Sequence, residues 1–252
     1  MKMKKITLLF IGLCLLFSCS KDKSNVEIPE EKACNVVSFS TAIFKKVEIV
    51  YDNMGRVTEY IKQDPTYLKT ALSYEKNSIK AIYSTIIEGK PQVHGTYGYE
   101  VDNQGRITSS TLDGYSRYKY EYNAEGYLSR VTGNEVDIHK MKFDYANGNI
   151  TAIDINRIDG ATTIENDNLK PYVPFSFAIT DVLEGIMHDA DIALYESGFF
   201  GKLPKNRFLK IKNYPGDGKK EVTISYKEDL DGKVVLVNNG FYESALGYEC
   251  KD

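Results

Sequence analysis

The sequence predicts an all-β protein: an antiparallel β-meander of roughly 12–14 strands, strongly curved or barrel-like, with one inserted amphipathic helix near 179–197. Three observations predict this fold. Apolar and polar residues alternate along most of the chain after Phe44, as they do in strands that bury one face. A short turn phrase recurs at residues 51–58 and 101–108, at a spacing that suits successive hairpins. Residues 179–194 instead repeat apolar side chains every three or four positions, which is typical of a helix.

Composition fits one large soluble domain. The chain has 252 residues, 42% of them hydrophobic and 27% charged, which is enough to bury a core without disulfides. The formal charge is -3, and it becomes -6 without the first 18 residues, which hold three lysines and no acid. Because phosphate contacts need clustered lysine and arginine, this mildly acidic chain predicts no nucleic-acid partner.

The amino terminus, residues 1–18, has the pattern of an export signal. A basic start is followed by an apolar run over residues 6–17, which is too short to span a bilayer. The sequence Leu16-Phe17-Ser18-Cys19 resembles the lipobox of bacterial lipoproteins. That resemblance implies cleavage before Cys19 and a lipid on its sulfur, which would anchor the protein in a membrane. An ordinary secretory signal with a chance cysteine is the alternative.

The residue after the cysteine suggests where such an anchor would lie. Ser20 stands where an aspartate would be a retention signal, and the resemblance to Gram-negative lipoproteins then implies the outer membrane. The domain could be periplasmic or surface-exposed. Residues 19–34 are polar and charged and are expected to form a flexible tether, followed by a single β-meander domain over residues 35–252.

The remaining cysteines predict a disulfide. Cys14 leaves with the signal and Cys19 takes the lipid, so Cys34 and Cys250 are left in an exported protein. A bridge between them would place the first and last strands side by side. Two free buried thiols are the alternative, and a metal site is disfavoured because no histidine lies near either cysteine in sequence.

The predicted strands form successive hairpins. In each copy of the phrase, Asp or Asn at the first corner can bond back to the backbone, and Gly at the fourth can adopt the left-handed conformation. A type I turn with such a glycine is a common hairpin connection with a bulge. The predicted strand pairs are 46–51 with 57–61, 68–74 with 79–86, 93–101 with 107–112, 116–122 with 127–131, and 138–145 with 150–155, with a late copy of the phrase at 226–234.

The phrase also carries a resemblance. Residues 51–58 resemble the YD repeat, Tyr-Asp-x-x-Gly-Arg-Leu/Val-Thr, and residues 101–108 match it except at the first position. The chain is similar to a family of uncharacterised lipoproteins from gut-type Bacteroidetes that has a porin-like β fold. In that family, YD-like hairpins precede a segment resembling residues 198–206, and the resemblance covers about residues 40–240. It implies a fold and a location, but no activity and no site residues.

The helical stretch is expected to cover part of the sheet. Thr180 or Asp181 can cap its start, Asp181 with Glu184 has capping-box spacing, and Gly198 can end it. An amphipathic helix in an all-β chain would plug one mouth of the curved sheet or pack over its open face. The apolar positions are Ile179, Val182, Leu183, Ile186, Met187, Ala190, Ala193 and Leu194.

Two groups of residues are candidates for binding. Tyr118, Tyr120 and Tyr122 share one strand face and could stack against a glycan or peptide, although packing within the meander is the simpler interpretation. Glu184, His188 and Asp191 share a helical face and could hold a divalent metal, but a solvated polar face is more common. We therefore predict no metal and no cofactor.

The sequence assigns no catalytic residue. It has no nucleophile-elbow serine and no glycine-rich phosphate loop, and its carboxylates are dispersed. The expected function is a lipid-anchored cell-envelope protein that acts as a non-catalytic binding or structural module, with a glycan, peptide or lipid as the possible ligand. Two alternatives remain: a glycan hydrolase whose carboxylates converge in a cleft, and a carrier of an apolar ligand or lipid.

Overall fold

The computed structural model describes residues 34–40, 46–63, 66–133, 139–156, 160–175, 187–213, 221–241 and 243–250. The chain divides into two units, Met1–Lys32 and Ala33–Asp252, and every described residue belongs to the second. The predicted signal peptide and Cys19 lie outside the described residues.

Within the described residues the chain forms 18 strands and one helix. The strands are short to medium in length, and the helix has eight residues. The elements are β1 (Cys34–Phe39), β2 (Lys46–Tyr51), β3 (Val57–Gln63), β4 (Leu68–Tyr74), β5 (Ser78–Ile87), β6 (Lys90–Val101), β7 (Ile107–Leu112), β8 (Tyr115–Tyr122), β9 (Leu128–Gly133), β10 (His139–Ala146), β11 (Asn149–Ile155), β12 (Thr162–Pro171), α1 (Asp189–Glu196), β13 (Asn206–Lys212), β14 (Glu221–Thr223), β15 (Ser225–Glu228), β16 (Val234–Asn238), β17 (Glu243–Ala245) and β18 (Gly247–Cys250).

The predicted all-β meander is confirmed. Strands β1 to β14 follow one another across a 15-stranded antiparallel sheet, and β18 pairs with β1 at its far edge. A second sheet has the order β15-β16-β17. The strand count exceeds the expected one partly because single residues, Ile224 and Leu246, interrupt what alternation alone would count as one strand.

The large sheet is not closed, and the small sheet connects its two ends. Strand β15 follows the end strand β14 directly, and β17 directly precedes the other end strand, β18. Side-chain hydrogen bonds join the small sheet to the large one near both ends. The Tyr226 hydroxyl donates to the carbonyl of Phe208 at 2.8 Å, and Ser40 Oγ accepts from the Ala245 N–H at 3.2 Å. Of the two predicted shapes, the large sheet is therefore the strongly curved, unclosed one.

The recurring turns form as their sequence predicts. In the first, Gly55 has φ 77° and donates to the carbonyl of Asp52 at 3.0 Å, while Asp52 Oδ1 accepts from the Met54 N–H at 2.9 Å. Gly105 has φ 79° in the equivalent turn. The register of the β2–β3 pair shifts between Val50 and Tyr51, opposite the residues that follow the turn. This shift is the bulge expected after a left-handed glycine.

The core lies on the inner face of the sheet and includes α1. The helix is buried from Ala190 to Glu196 and contacts β3 and β4. Its described part is thus buried on nearly every side, whereas the sequence predicted one apolar face. Its N-cap is His188, and the predicted start near Thr180 and Asp181 lies outside the described residues. The largest fully buried side chains are Tyr99, Tyr195, Phe200, Phe208, Ile107, Leu128, Met141, Ile150 and Ile153.

The outer face of the sheet carries charged pairs between neighbouring strands. Lys69 pairs with Glu59, and Lys210 pairs with Glu221 at 3.0 Å. Such pairs suit a face that meets water. No helix in the described part of the chain is both long enough and apolar enough to cross a membrane.

Candidate functional site

The three tyrosines predicted to share a face lie on β8 and pack against the core. Tyr120 is only 5% exposed, and its hydroxyl lies 3.0 Å from Ser110 Oγ. Tyr122 donates to the carbonyl of Ile107 at 2.6 Å. Tyr118 is half-buried. The structure thus uses Tyr120 and Tyr122 for packing, and ligand stacking by this face stays a prediction.

The start of α1 carries two ion pairs inside the sheet. Asp191 is fully buried; it accepts from the Tyr99 hydroxyl at 2.8 Å and from Arg117 Nη1 at 2.6 Å. Asp189 pairs with Lys62 at 2.7 Å. Burial opposes the charge of Arg117, but Asp191 more than offsets this, and the pKa of Arg117 is raised. These charges therefore bind the helix to strands β3, β6 and β8.

His188 completes this cluster at the helix N-cap. Its ring stacks on Tyr97, with centroids 4.4 Å apart, and meets the Tyr83 ring edge-on at 4.7 Å. Its Nδ1 accepts from the Ala190 N–H at 3.4 Å, which caps the helix. Burial lowers the pKa of His188; Asp189 and Asp191 act in the opposite direction, and the cations Arg117 and Lys62 oppose protonation. The imidazole is therefore neutral near pH 7, and its role in this structure is to cap the helix and to pack against the two tyrosines.

A metal site on this helix receives no support from the described residues. Glu184, the first of the three candidate ligands, lies outside them. Asp191 already accepts from Tyr99 and Arg117, and His188 uses Nδ1 for the cap. Within the described ranges no group of three or more histidine, cysteine, aspartate or glutamate side chains is arranged to hold a metal ion.

The end of α1 holds a buried carboxyl group. Glu196 is 4% exposed, and the Tyr172 hydroxyl donates to its two oxygens at 2.9 and 3.1 Å. Burial raises the pKa of Glu196 to about 8, although bonds from Tyr172 and the Phe175 backbone act in the opposite direction. The group is therefore largely protonated at neutral pH.

The recurring turns carry a contact that the sequence did not reveal. Arg56 pairs with Asp52 in its own turn at 2.7 Å and lies over the ring of Tyr74 in the next hairpin, 4.4 Å from its centroid. The Tyr74 hydroxyl donates to the carbonyl of Val57, the residue after the arginine. We call this aspartate–arginine–tyrosine arrangement the tyrosine latch. It ties each turn to the hairpin that follows it.

The latch recurs around one end of the sheet. Arg106 pairs with Asp102 at 2.8 Å and lies 4.4 Å over the ring of Tyr122. A further copy joins residues far apart in sequence: Arg207 pairs with Asp167 at 3.2 Å and lies 4.6 Å over Tyr226. This copy is not visible in the sequence because the helix separates Asp167 from Arg207. The arginines are thus part of the fold rather than free ligand contacts.

The two ends of the domain meet at a disulfide. Cys34 and Cys250 face each other on β1 and β18 and form an S–S bond of 2.08 Å across a sequence separation of 216. Lys233 Nζ donates to Cys250 Sγ at 3.3 Å. Both cysteines are half-buried.

Several cavities open at the end of the sheet that carries the latches. One of about 570 Å³ lies between two turns and the segment after α1, lined by residues that include Arg106, Glu125 and Lys202. Another, of about 380 Å³, lies beside Cys250 and includes the carboxylates of Asp52 and Glu249. Glycines 198 and 201 adopt positive φ and let the segment after α1 approach the turns closely.

These carboxylates do not resemble a hydrolase pair. Asp52 accepts from the Met54 and Arg56 N–H groups, and the bond from Arg56 is the chief reason that its pKa is lowered. A general acid needs a raised pKa. Among the described residues, the one carboxyl group with a strongly raised pKa is Glu196, and it is enclosed by the core. A carried lipid would in turn have to displace packed side chains such as Tyr195 and Phe200.

A curved antiparallel meander around one buried helix, with no catalytic constellation assembled in the described residues, defines a porin-like β protein. The chain belongs to the family described as a domain of unknown function (DUF4595) with porin-like fold, whose model matches residues 49–236. A crystal structure of a porin-like protein from Bacteroides vulgatus ATCC 8482 is similar over 85% of this chain and 98% of that chain, at 13% identity and a TM-score of 0.44. None of the curated proteins compared with the chain matches it.

Proposed function

We propose that the protein is a lipid-anchored module of the cell envelope that binds or supports another envelope component without catalysing a reaction. The observation that carries this proposal is that three carboxyl groups of the interior all have partners within the fold. Asp189 is paired with Lys62, Asp191 with Arg117, and Glu196 is held by Tyr172. Each of these carboxyl groups fixes the helix within the sheet, so none is left poised as an acid or base.

The anchor is the second part of the proposal. The sequence before Cys19 supports lipidation of that residue, and Ser20 supports the outer membrane of a Gram-negative bacterium. Two or more acyl chains on one cysteine hold a protein stably at a membrane without a spanning segment. The charged outer face of the sheet agrees with a domain that stays in water beside the membrane. A glycan, a peptide or a lipid is the proposed ligand class.

The anchor is tested in cells that produce the full chain. Growth with an alkyne fatty acid should label the wild type and leave a C19A variant unlabelled, and only the wild type should sediment with outer membranes. C14A is the matched control, because Cys14 lies within the proposed signal and should not affect labelling. Equal labelling of C19A would overturn the lipid anchor. Protease treatment of intact cells then distinguishes surface exposure from a periplasmic position.

The non-catalytic role is tested on the purified chain. Envelope glycans and dietary polysaccharides are incubated with the protein, and both binding and product release are measured. We expect binding or no interaction, and no turnover. Sustained turnover that survives further purification would overturn the proposal and favour the hydrolase alternative.

A further inference from the structure

The turn at residues 229–233, the late copy of the recurring phrase, differs from the turns of the tyrosine latches at the position of the arginine. It keeps the backbone geometry, since the Gly232 N–H donates to the Asp229 carbonyl at 3.1 Å and Asp229 Oδ1 accepts from the Lys233 N–H at 2.9 Å. The Tyr248 hydroxyl also donates to the carbonyl of Val234 at 2.8 Å, as in a tyrosine latch. The arginine position of the latch, however, is occupied by Lys233.

This change directs a cation to the disulfide. In the latches an arginine guanidinium lies over the tyrosine ring, whereas the compact ammonium of Lys233 contacts Cys250 Sγ at 3.3 Å. Cys250 is half-buried and lines the cavity of about 380 Å³ at the sheet end, so the disulfide lies close to a cavity that opens to solvent. A half-buried disulfide with a cation on one sulfur differs from an inert structural bridge in a dry core.

The ammonium group of Lys233 makes the two sulfurs unequal as leaving groups in thiol exchange. Disulfides are exchanged by thiolate attack on one sulfur, and the other leaves as a thiolate, faster when its thiol has a lower pKa. A neighbouring lysine stabilises a thiolate and therefore favours departure of the sulfur that it contacts. Asp229 and Glu249 lie in the same region and reduce this effect without removing the direct contact.

We propose that the Cys34–Cys250 disulfide is a directional thiol-exchange site. An incoming thiolate forms a bond to Cys34 Sγ, the Cys34–Cys250 bond breaks, and its electron pair leaves on Cys250, where Lys233 holds the thiolate. With a dithiol reductant, the second thiolate attacks the mixed disulfide and releases Cys34. The reductant becomes a disulfide, and two electrons pass to the two cysteine sulfurs.

The consequence concerns the pair of strands β1 and β18, which we call the seam: an envelope dithiol could open it. The disulfide is the covalent link across the β1–β18 pair, which joins the beginning of the described chain to its end. Reduction would leave that pair held by backbone hydrogen bonds. The proposal does not depend on the lipid anchor or on the ligand.

The rate of reduction tests the role of Lys233. The full chain carries C14S and C19S, so that only Cys34 and Cys250 can exchange, and dithiothreitol reduction is followed by quenching, alkylation and mass spectrometry. We expect K233Q to be reduced about threefold to tenfold more slowly than wild type. K233R should stay near wild type because it keeps the charge, and K119Q, an exposed lysine on β8, is the matched control. Equal rates for K233Q and wild type would overturn the proposal.

Two further measurements separate an electrostatic role from a loosened fold. Raising the ionic strength from about 0.01 to about 1 M should narrow the rate difference, because screening weakens a contact between charges. A difference caused by local unfolding would persist. With 2-mercaptoethanol and rapid alkylation, peptide mapping should find the mixed disulfide mainly on Cys34. An adduct mainly on Cys250 would contradict the direction proposed.

Discussion

Glu196 is a carboxyl group that the fold encloses and keeps protonated. Its pKa is about 8 in the folded protein and 4.5 in its ordinary state. The folded protein therefore holds a proton that the unfolded chain has lost between these values. The stability tied to this proton is fully present below about pH 4.5 and is lost as the pH rises through about 8. Glu196 thus makes the folded state less stable at alkaline pH.

Replacement by glutamine tests this dependence. E196Q keeps an acceptor for Tyr172 and cannot ionise, so its free energy of unfolding should exceed that of wild type by a few kcal/mol at about pH 8.5 and by little at about pH 4.5. Urea unfolding of the disulfide-bonded protein across this range measures it. E121Q, at an exposed position on β8, is the control. If the free energies of unfolding of E196Q and wild type changed in parallel with pH, Glu196 would ionise equally in the folded and unfolded states.

Asp191 is the residue whose loss of a partner should matter most. It is fully buried, and Arg117 contacts it at 2.6 Å. R117M leaves a buried carboxylate without its cation and should cost about 3–5 kcal/mol of unfolding free energy. Adding D191N removes the stranded charge, so the double variant should regain most of the loss. Chemical denaturation measures both, with exposed R130M as the control, and a purely additive double variant would contradict direct pairing.

The hairpin elements depend on the tyrosine latch as well as on their turns. Y122F removes the hydroxyl that donates to Ile107 at 2.6 Å but keeps the ring under Arg106. We expect a loss of about 1 kcal/mol, because a half-buried carbonyl loses its donor. Y115F, whose ring is 80% exposed, should cost almost nothing. Thermal unfolding of the two variants compares them, and equal melting temperatures would show that the hydroxyl bond is dispensable.

The elements differ in how far the sequence could predict them. Turns such as 52–56 are local, because aspartate, glycine and the bulge act within a few residues, and alternation then sets the strands on either side. The environment of the helix, in contrast, is not determined by neighbouring residues in the sequence. The apolar spacing of the helix is visible, but burial of Asp191 and Glu196 depends on Arg117 and Tyr172, for which the sequence pattern gives no partners. The latch of Asp167, Arg207 and Tyr226 was hidden for the same reason.

At the scale of the whole molecule, the meander brings its first and last described strands together. Cysteine counting predicts which two sulfurs remain in an exported chain, and the strand order places Cys34 opposite Cys250. The late copy of the turn phrase at 226–234 predicts the β15–β16 hairpin, but the separation of β15–β17 into a second sheet could not be predicted, since single-residue interruptions at Ile224 and Leu246 leave no clear mark in the alternation. The covalent link therefore joins two neighbouring strands, β1 and β18, at one edge of the large sheet, and the small sheet connects that edge through the chain to β14 at the other.

Removing that covalent link should affect the whole fold and one seam in particular. A bridge across a separation of 216 residues restricts the unfolded chain, and the chain-entropy model gives this restriction about 5 kcal/mol. C34A/C250A should therefore unfold at a lower urea concentration than wild type. Because β6 and β7 lie in the middle of the sheet order, their amides should stay protected from hydrogen exchange at low denaturant, while those of β1 and β18 exchange first. Uniform loss of protection would contradict this local seam, and unchanged stability would show that the unfolded chain is compact without the bridge.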